Sequence, residues 1–159
     1  MAKVRWPSRF DPANTSVFVS NKITIPAAPE TVWVWLVCAK RWPEWYSNSA
    51  NVRLPGEVAN LAPGMQFEWR TFGVHLISTV KEFELHSRLA WDARAIGIEA
   101  YHAWVIEKRG KGETLVLTEE TQHGWLARLA KLLTPGRMSR YHQMWLEKLR
   151  EKAESGLPY

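Results

Sequence analysis

From Met65 to His123 the chain reads as five extended segments parted by breaks too short for anything but hairpins. The segments run Met65 to Phe72, Val74 to Leu85, Arg88 to Ile96, Ile98 to Lys108 and Glu113 to His123. Between them lie Gly73, His86-Ser87, Gly97 and Gly110-Lys111-Gly112. Such breaks join antiparallel neighbours. A meander this wide curls under its own twist and exposes a concave face, which must be covered. Upstream, Val17, Val19, Ile23 and Ile25 alternate within Ser16 to Pro26 and predict a first strand, and Asn51 to Leu54 predicts a short one.

Helices supply the cover. Pro29 suits a first helical position, Glu30 sits near the positive end of the helix dipole, and Val32, Trp33, Leu36 and Val37 share a face. Pro43 opens a second short helix carrying Trp42, Trp45 and Tyr46. Near the end, Leu126, Leu129 and Leu133 share a face, and Met138, Tyr141, Trp145 and Leu149 continue the stripe until Gly156. Thr134-Pro135 reads as an N-cap followed by a first-position proline, so either one kinked helix or two helices meet at Pro135. Residues 1–15 are a basic, proline-punctuated arm, and residues 16–155 form a single domain, the expectation for a chain of 159 residues.

That order of elements resembles the START-like (SRPBCC) helix-grip superfamily, and within it the polyketide cyclase/dehydrase and lipid-transport group. The resemblance rests on Ile25-Pro26-Ala27-Ala28-Pro29-Glu30-Thr31-Val32-Trp33, Arg41-Trp42-Pro43-Glu44-Trp45 and Pro63-Gly64-Met65-Gln66-Phe67. Leu89-Ala90-Trp91, His102-Ala103-Trp104 and the run from Thr114 to Gly124-Trp125 extend it, so that it spans about residues 16–152. It implies an α+β fold, with a seven-stranded antiparallel sheet wrapped around a long C-terminal helix and two short helices after the first strand. It also implies an apolar cavity between sheet and helix. Members of the superfamily include lipid and sterol carriers, aromatic polyketide cyclases and co-chaperone-type modules, so the fold fixes function loosely. Where the group often has an acidic residue after the first-helix Val-Trp, this chain has Val34-Trp35, making the helix apolar nearly all round. Either a partner surface or deep burial of that helix follows.

Composition narrows the classes. Ten tryptophans outnumber the five phenylalanines and four tyrosines together, and an indole combines a large apolar body with one donor. The net charge of +5 permits attraction to anionic partners, and Arg128, Lys131, Arg137 and Arg140 lie in a stretch without acids. Those arginines do not interleave with aromatics into a nucleic-acid platform, so no nucleic-acid partner is expected. Cys38, the only cysteine, excludes an internal disulfide and points to a reducing interior. It falls in an apolar run, as a small buried hydrophobe. With no signal core and no stretch of membrane-spanning length, the expectation is a cytoplasmic protein without stable membrane insertion. Monomer and homodimer both stay open.

No metal and no cofactor are expected. The histidines at 75, 86, 102, 123 and 142 are scattered, and no glycine-rich phosphate loop occurs. One pair carries chemistry. If the turn centres near Lys111, residues whose numbers sum to 222 face one another, placing His102 opposite Glu120 and Trp104 opposite Thr118. A carboxylate beside an imidazole predicts a raised histidine pKa and could form an acid–base dyad. A cross-strand link without chemistry fits the same register. Trp69, Trp91 and Trp104 fall on adjoining strands, and with Tyr141 and Trp145 of the last helix, His102 and Glu120 they are the candidate ligand-binding residues. Arg70 and Arg94 could point inward to meet a ligand carboxylate, although strand arginines mostly face outward. The cavity entrance is expected between the Pro55–Gly64 loop, a strand hairpin and the start of the last helix.

Three functions fit these residues. The first is binding of a hydrophobic small molecule, such as a lipid, polyketide or quinone. The second is a cyclase/dehydrase-type enzyme using His102 and Glu120. The third is a protein-interaction module displaying Trp35 and Trp42. Polar residues converging in the cavity favour the second over the first.

Overall fold

A computed structural model of the chain describes residues 2–159. Its strands are β1 (Val17–Ile25), β2 (Ala50–Arg53), β3 (Gln66–Thr71), β4 (Val74–Glu84), β5 (Arg88–Ala95), β6 (Ile98–Arg109) and β7 (Glu113–His123). They form one seven-stranded antiparallel sheet in the order β1-β7-β6-β5-β4-β3-β2. Hairpins join β3 through β7 in sequence order, as the short breaks require, while β1 returns to pair with β7. A bulge between Val80 and Glu82 of β4 adds local bend where the sheet must curl.

On the concave side lie α1 (Pro29–Val37), α2 (Trp42–Trp45) and the long α4 (Arg137–Glu154). His142, Trp145, Leu146, Leu149 and Ala153 are buried at i, i+3, i+4, i+7 and i+11, the spacing of one helix face. Trp42, Trp69, Trp91, Trp104 and Trp145 meet beneath α4, with ring centroids 5.0 to 6.3 Å apart, mostly edge-on or tilted. Those arrangements bring the positive edge of one ring to the negative face of the next. The indoles thus fill much of the space that the grip encloses.

Deep burial accounts for the apolar first helix. Trp33 packs edge-on against Phe83, while Trp35 lies under the C-terminal tail and donates to Gly156 O at 2.7 Å. Trp42 is wholly buried and donates to Leu36 O. Neither Trp35 nor Trp42 is displayed, which removes the interaction-module reading based on them. Cys38 is buried, as its apolar neighbourhood requires.

Two helices meet near Pro135, but not as Thr134-Pro135 predicts. Thr134 closes α3 (Trp125–Leu133) by donating its hydroxyl to Ala130 O, and Gly136, in a left-handed conformation at φ 75°, precedes α4. The expected common stripe also breaks here. Leu129 and Leu133 face solvent, and Ala127 is the buried residue of α3. The arm lies on the convex face, where Trp6 and Phe10 contact Tyr101 and Thr121 donates to Phe10 O. Among the described residues no helix is long and apolar enough to cross a membrane.

Candidate functional site

A cavity of about 50 Å³ remains between the sheet and α4. Its walls are Tyr46, Trp69, Trp91 and Trp145, and one side carries His102, Glu120, Gln122 and His142. The sequence register places the first two of these polar groups. His102 pairs with Glu120 across β6 and β7, and Trp104 pairs with Thr118, so all four share the concave face. His142 arrives from α4, one turn before Trp145, whose indole stacks on Tyr46 at 4.4 Å.

The three groups touch. His102 Nδ1 lies 3.4 Å and His142 Nε2 3.0 Å from Glu120 Oε2, and the Gln122 amide donates to Glu120 Oε1 at 2.6 Å. The two imidazoles are stacked, 4.7 Å apart and within 3° of parallel. His102 Nε2 meets Thr118 Oγ1 at 2.7 Å. A neutral His102 that gives its Nδ1 proton toward Glu120 and accepts at Nε2 from the Thr118 hydroxyl satisfies both nitrogens. Their side chains are only 4% (His102), 12% (Glu120) and 2% (His142) exposed.

Burial decides the protonation states. It is the largest influence on His102 and drives the imidazole down to about 3, against the attraction of Glu120 and with the help of His142. The raised value expected from the neighbouring carboxylate is therefore reversed, because desolvating the imidazolium outweighs one partner at 3.4 Å. For Glu120 burial is again the largest influence and acts upward, yet His142, His102 and Gln122 together hold the carboxyl below its usual range. Since His102 is neutral near pH 7, this depression rests on the N–H groups around the carboxylate rather than on an ion pair with His102. The outcome is a buried carboxylate beside an uncharged imidazole.

A nitrogen from each imidazole and a Glu120 oxygen lie within 4.8 Å of one another, so these residues could hold a metal ion. Scattering along the sequence hid this grouping from the expectation of no metal. Each metal–nitrogen bond lies in its ring's plane, and stacked rings share no such point. One imidazole would have to turn before both bound the same ion.

Of the predicted site residues, Trp69, Trp91, His102, Glu120 and Trp145 line the cavity. Trp104 stands behind it, stacked on His102 at 5.2 Å, and Tyr141 lies outside against Phe72. His142, Tyr46 and Gln122 escaped the sequence reading. For His142 a signal existed: it occupies the buried stripe of α4, where an imidazole among Trp145, Leu146 and Leu149 requires a polar partner. Of the lining residues, Thr71, Phe72 and Val74 around the β3–β4 hairpin, with Ile98 and Gln122, are only half-buried and form the rim of the cavity. The Pro55–Gly64 loop takes no part in it, because backbone bonds from Leu61 N to Val37 O and from Lys40 N to Ala59 O tie it to the end of α1 and the turn that follows. Arg70 and Arg94 are both exposed, and Arg70 donates to Gly73 O.

Sheet, gripping helix and enclosed cavity define a START-like helix-grip protein. The chain belongs to the polyketide cyclase/dehydrase and lipid transport family, which it matches over residues 16–154. A hypothetical protein from Helicobacter pylori is 33% identical, with a TM-score of 0.89 over 96% of this chain and 97% of that one. The Zhui aromatase/cyclase from a Streptomyces species shares the fold at 13% identity, with a TM-score of 0.74 over 89% and 98% of the two chains. A START superfamily protein from Mycobacterium smegmatis does so at 16% identity, with a TM-score of 0.63 over 87% and 94%. No curated protein matches the chain.

Proposed function

We propose that this protein binds a compact, mostly apolar molecule end-on, with one polar group of the ligand received by His102, Glu120 and His142. The observation that carries this reading is their convergence at one side of a cavity otherwise walled mostly by aromatic and aliphatic side chains. Among the described residues, buried Trp145 Nε1 and His142 Nδ1 have no protein partner, so the site offers hydrogen-bonding capacity to such a group. Size sets the ligand class. The cavity of about 50 Å³ is far below the roughly 300 Å³ at which drug-sized ligands are enclosed, so an extended lipid chain does not fit without moving indoles. Thr71 also borders an open recess of about 250 Å³ lined by Ser47, Asn48 and Arg70, where the remainder of a ligand could lie. Affinity comes from desolvation, about 25 cal/mol per Å² of apolar surface buried.

A second reading, acid–base chemistry of cyclase/dehydrase type, is favoured by the same convergence. A carboxylate between two imidazoles is a dyad-like arrangement, but His102 itself is a weak base, with a value of about 3 and its Nε2 engaged by Thr118. Titration with phenols and naphthols, followed by tryptophan fluorescence, tests the binding reading. We expect saturable quenching, weakened by about 1–2 kcal/mol in His102→Ala or Glu120→Ala, the worth of one or two hydrogen bonds. No saturable change with any member, and no small molecule retained in native mass spectra, would refute it. Turnover that both substitutions abolish while binding survives would establish the enzymatic reading instead.

A further inference from the structure

In α3 the hydrophobic side is turned outward. At 3.6 residues per turn, Trp125, Leu129, Leu132 and Leu133 fall within about 50° of one direction, and Ala127 points roughly opposite. Ala127 is buried against the protein, whereas Trp125 is 63%, Leu132 76% and Leu133 69% exposed. The neighbouring hairpin tip extends the patch. A Cβ on Gly97 would stand 2.8 Å from the Trp125 indole, and Leu126 N donates to Gly97 O, so the β5–β6 turn is fixed beneath the start of α3. Next to it, Ile96 is 87% exposed. Two elements thus present one contiguous apolar surface, which a free-standing soluble face would not need.

Charge identifies what covers it. No acidic residue occurs from Trp125 to Leu146, while Arg128, Lys131, Arg137 and Arg140 do. Arg128 lies on the flank of α3 and Lys131 nearer the side that meets the protein; both are tethered to Ser16, through its hydroxyl and carbonyl, yet exposed. Glu99, on β6 close to the patch, is already paired with Arg9. A symmetric pairing of two α3 helices would set these cations against their own copies. An anionic surface would complement them.

We propose that α3 and the β5–β6 tip dock on the anionic face of a lipid bilayer, with the indole and leucines in the interface and the basic flank among the headgroups. The cavity rim residues Ile98 and Gln122 each lie within two positions of the glycines joining these elements, so docking brings the rim to the membrane. This inference stands without the ligand reading.

Flotation of the full chain with phosphatidylcholine vesicles, with or without about a quarter phosphatidylglycerol, tests it. Binding is expected to the anionic vesicles only, with a blue shift of tryptophan emission and loss at high salt. The double variant Leu132→Glu/Leu133→Glu changes only exposed side chains, so its thermal unfolding should match the parent while vesicle binding falls at least about tenfold. Lys131→Glu/Arg140→Glu should also weaken binding. Failure of the parent to bind either vesicle, or undiminished binding by the leucine variant, would overturn the proposal. A concentration-dependent dimer dispersed by the leucine variant would do so too, assigning the patch to a second copy.

Discussion

Replacing His102 with Gln isolates the cost of keeping an imidazole uncharged inside the protein. Unfolded, this histidine has the ordinary value of 6.5; folded, burial lowers it to about 3. A lowered folded value means that the unfolded chain takes up a proton which the folded chain refuses. The stability linked to His102 is therefore intact above pH 6.5 and is lost progressively as pH falls toward about 3. Each pH unit within that window costs about 1.4 kcal/mol, so between about pH 7 and pH 5 the parent should lose roughly 2 kcal/mol through this group. For a chain of this size, that is a fall in Tm of about 4–8 °C. Gln keeps an amide within reach of Thr118 but cannot titrate. Whatever its stability at neutral pH, the variant should lack this part of the acid sensitivity. Urea unfolding of both proteins across the range gives the difference, in which groups common to both cancel. Glu120, also lowered, acts in the same direction but only below the ordinary carboxyl value of 4.5, so the upper part of the window belongs to the histidine. Parallel stability curves for the two proteins would refute the reasoning, as would NMR evidence that His102 gains its proton above about pH 6, because attraction to Glu120 would then outweigh desolvation.

The packing at two glycines and at Trp35 can be tested in the same way. In Gly124→Ala the new Cβ would stand 2.1 Å from Gly97 O at a backbone φ of +110°, so chemical denaturation should show a loss beyond the roughly 1–3 kcal/mol of backbone strain alone. Gly110→Ala, at φ +57° with no atom within 4 Å, should cost only about 1 kcal/mol. Trp35→Phe removes the donor to Gly156 O and should cost about 1 kcal/mol. Deleting residues 156–159 should add less in that variant than in the parent, since the two changes share the bond.

The strands and the central pairing could be read from the sequence. Period-two alternation and the two-glycine turn around Lys111 fix the β6–β7 register, and the register alone brings His102 opposite Glu120. The buried face of α4 was legible as well, from helical spacing through Trp145 and Leu149. Tertiary structure decided what those placements mean. His142 joins the pair because α4 crosses the sheet at one particular rotation and height, which no local pattern encodes. Complete burial, a property of the whole fold, then reverses the protonation preference that the neighbouring carboxylate suggests. Crowding among five indoles leaves a small cavity where ten tryptophans were equally compatible with a large one. In α3 the spacing of the leucines defines an apolar face but not its direction. That face looks outward because Leu126 N and the close approach of Gly97 and Gly124 fix the helix by its first turn, while Arg128 and Lys131 hold it to Ser16.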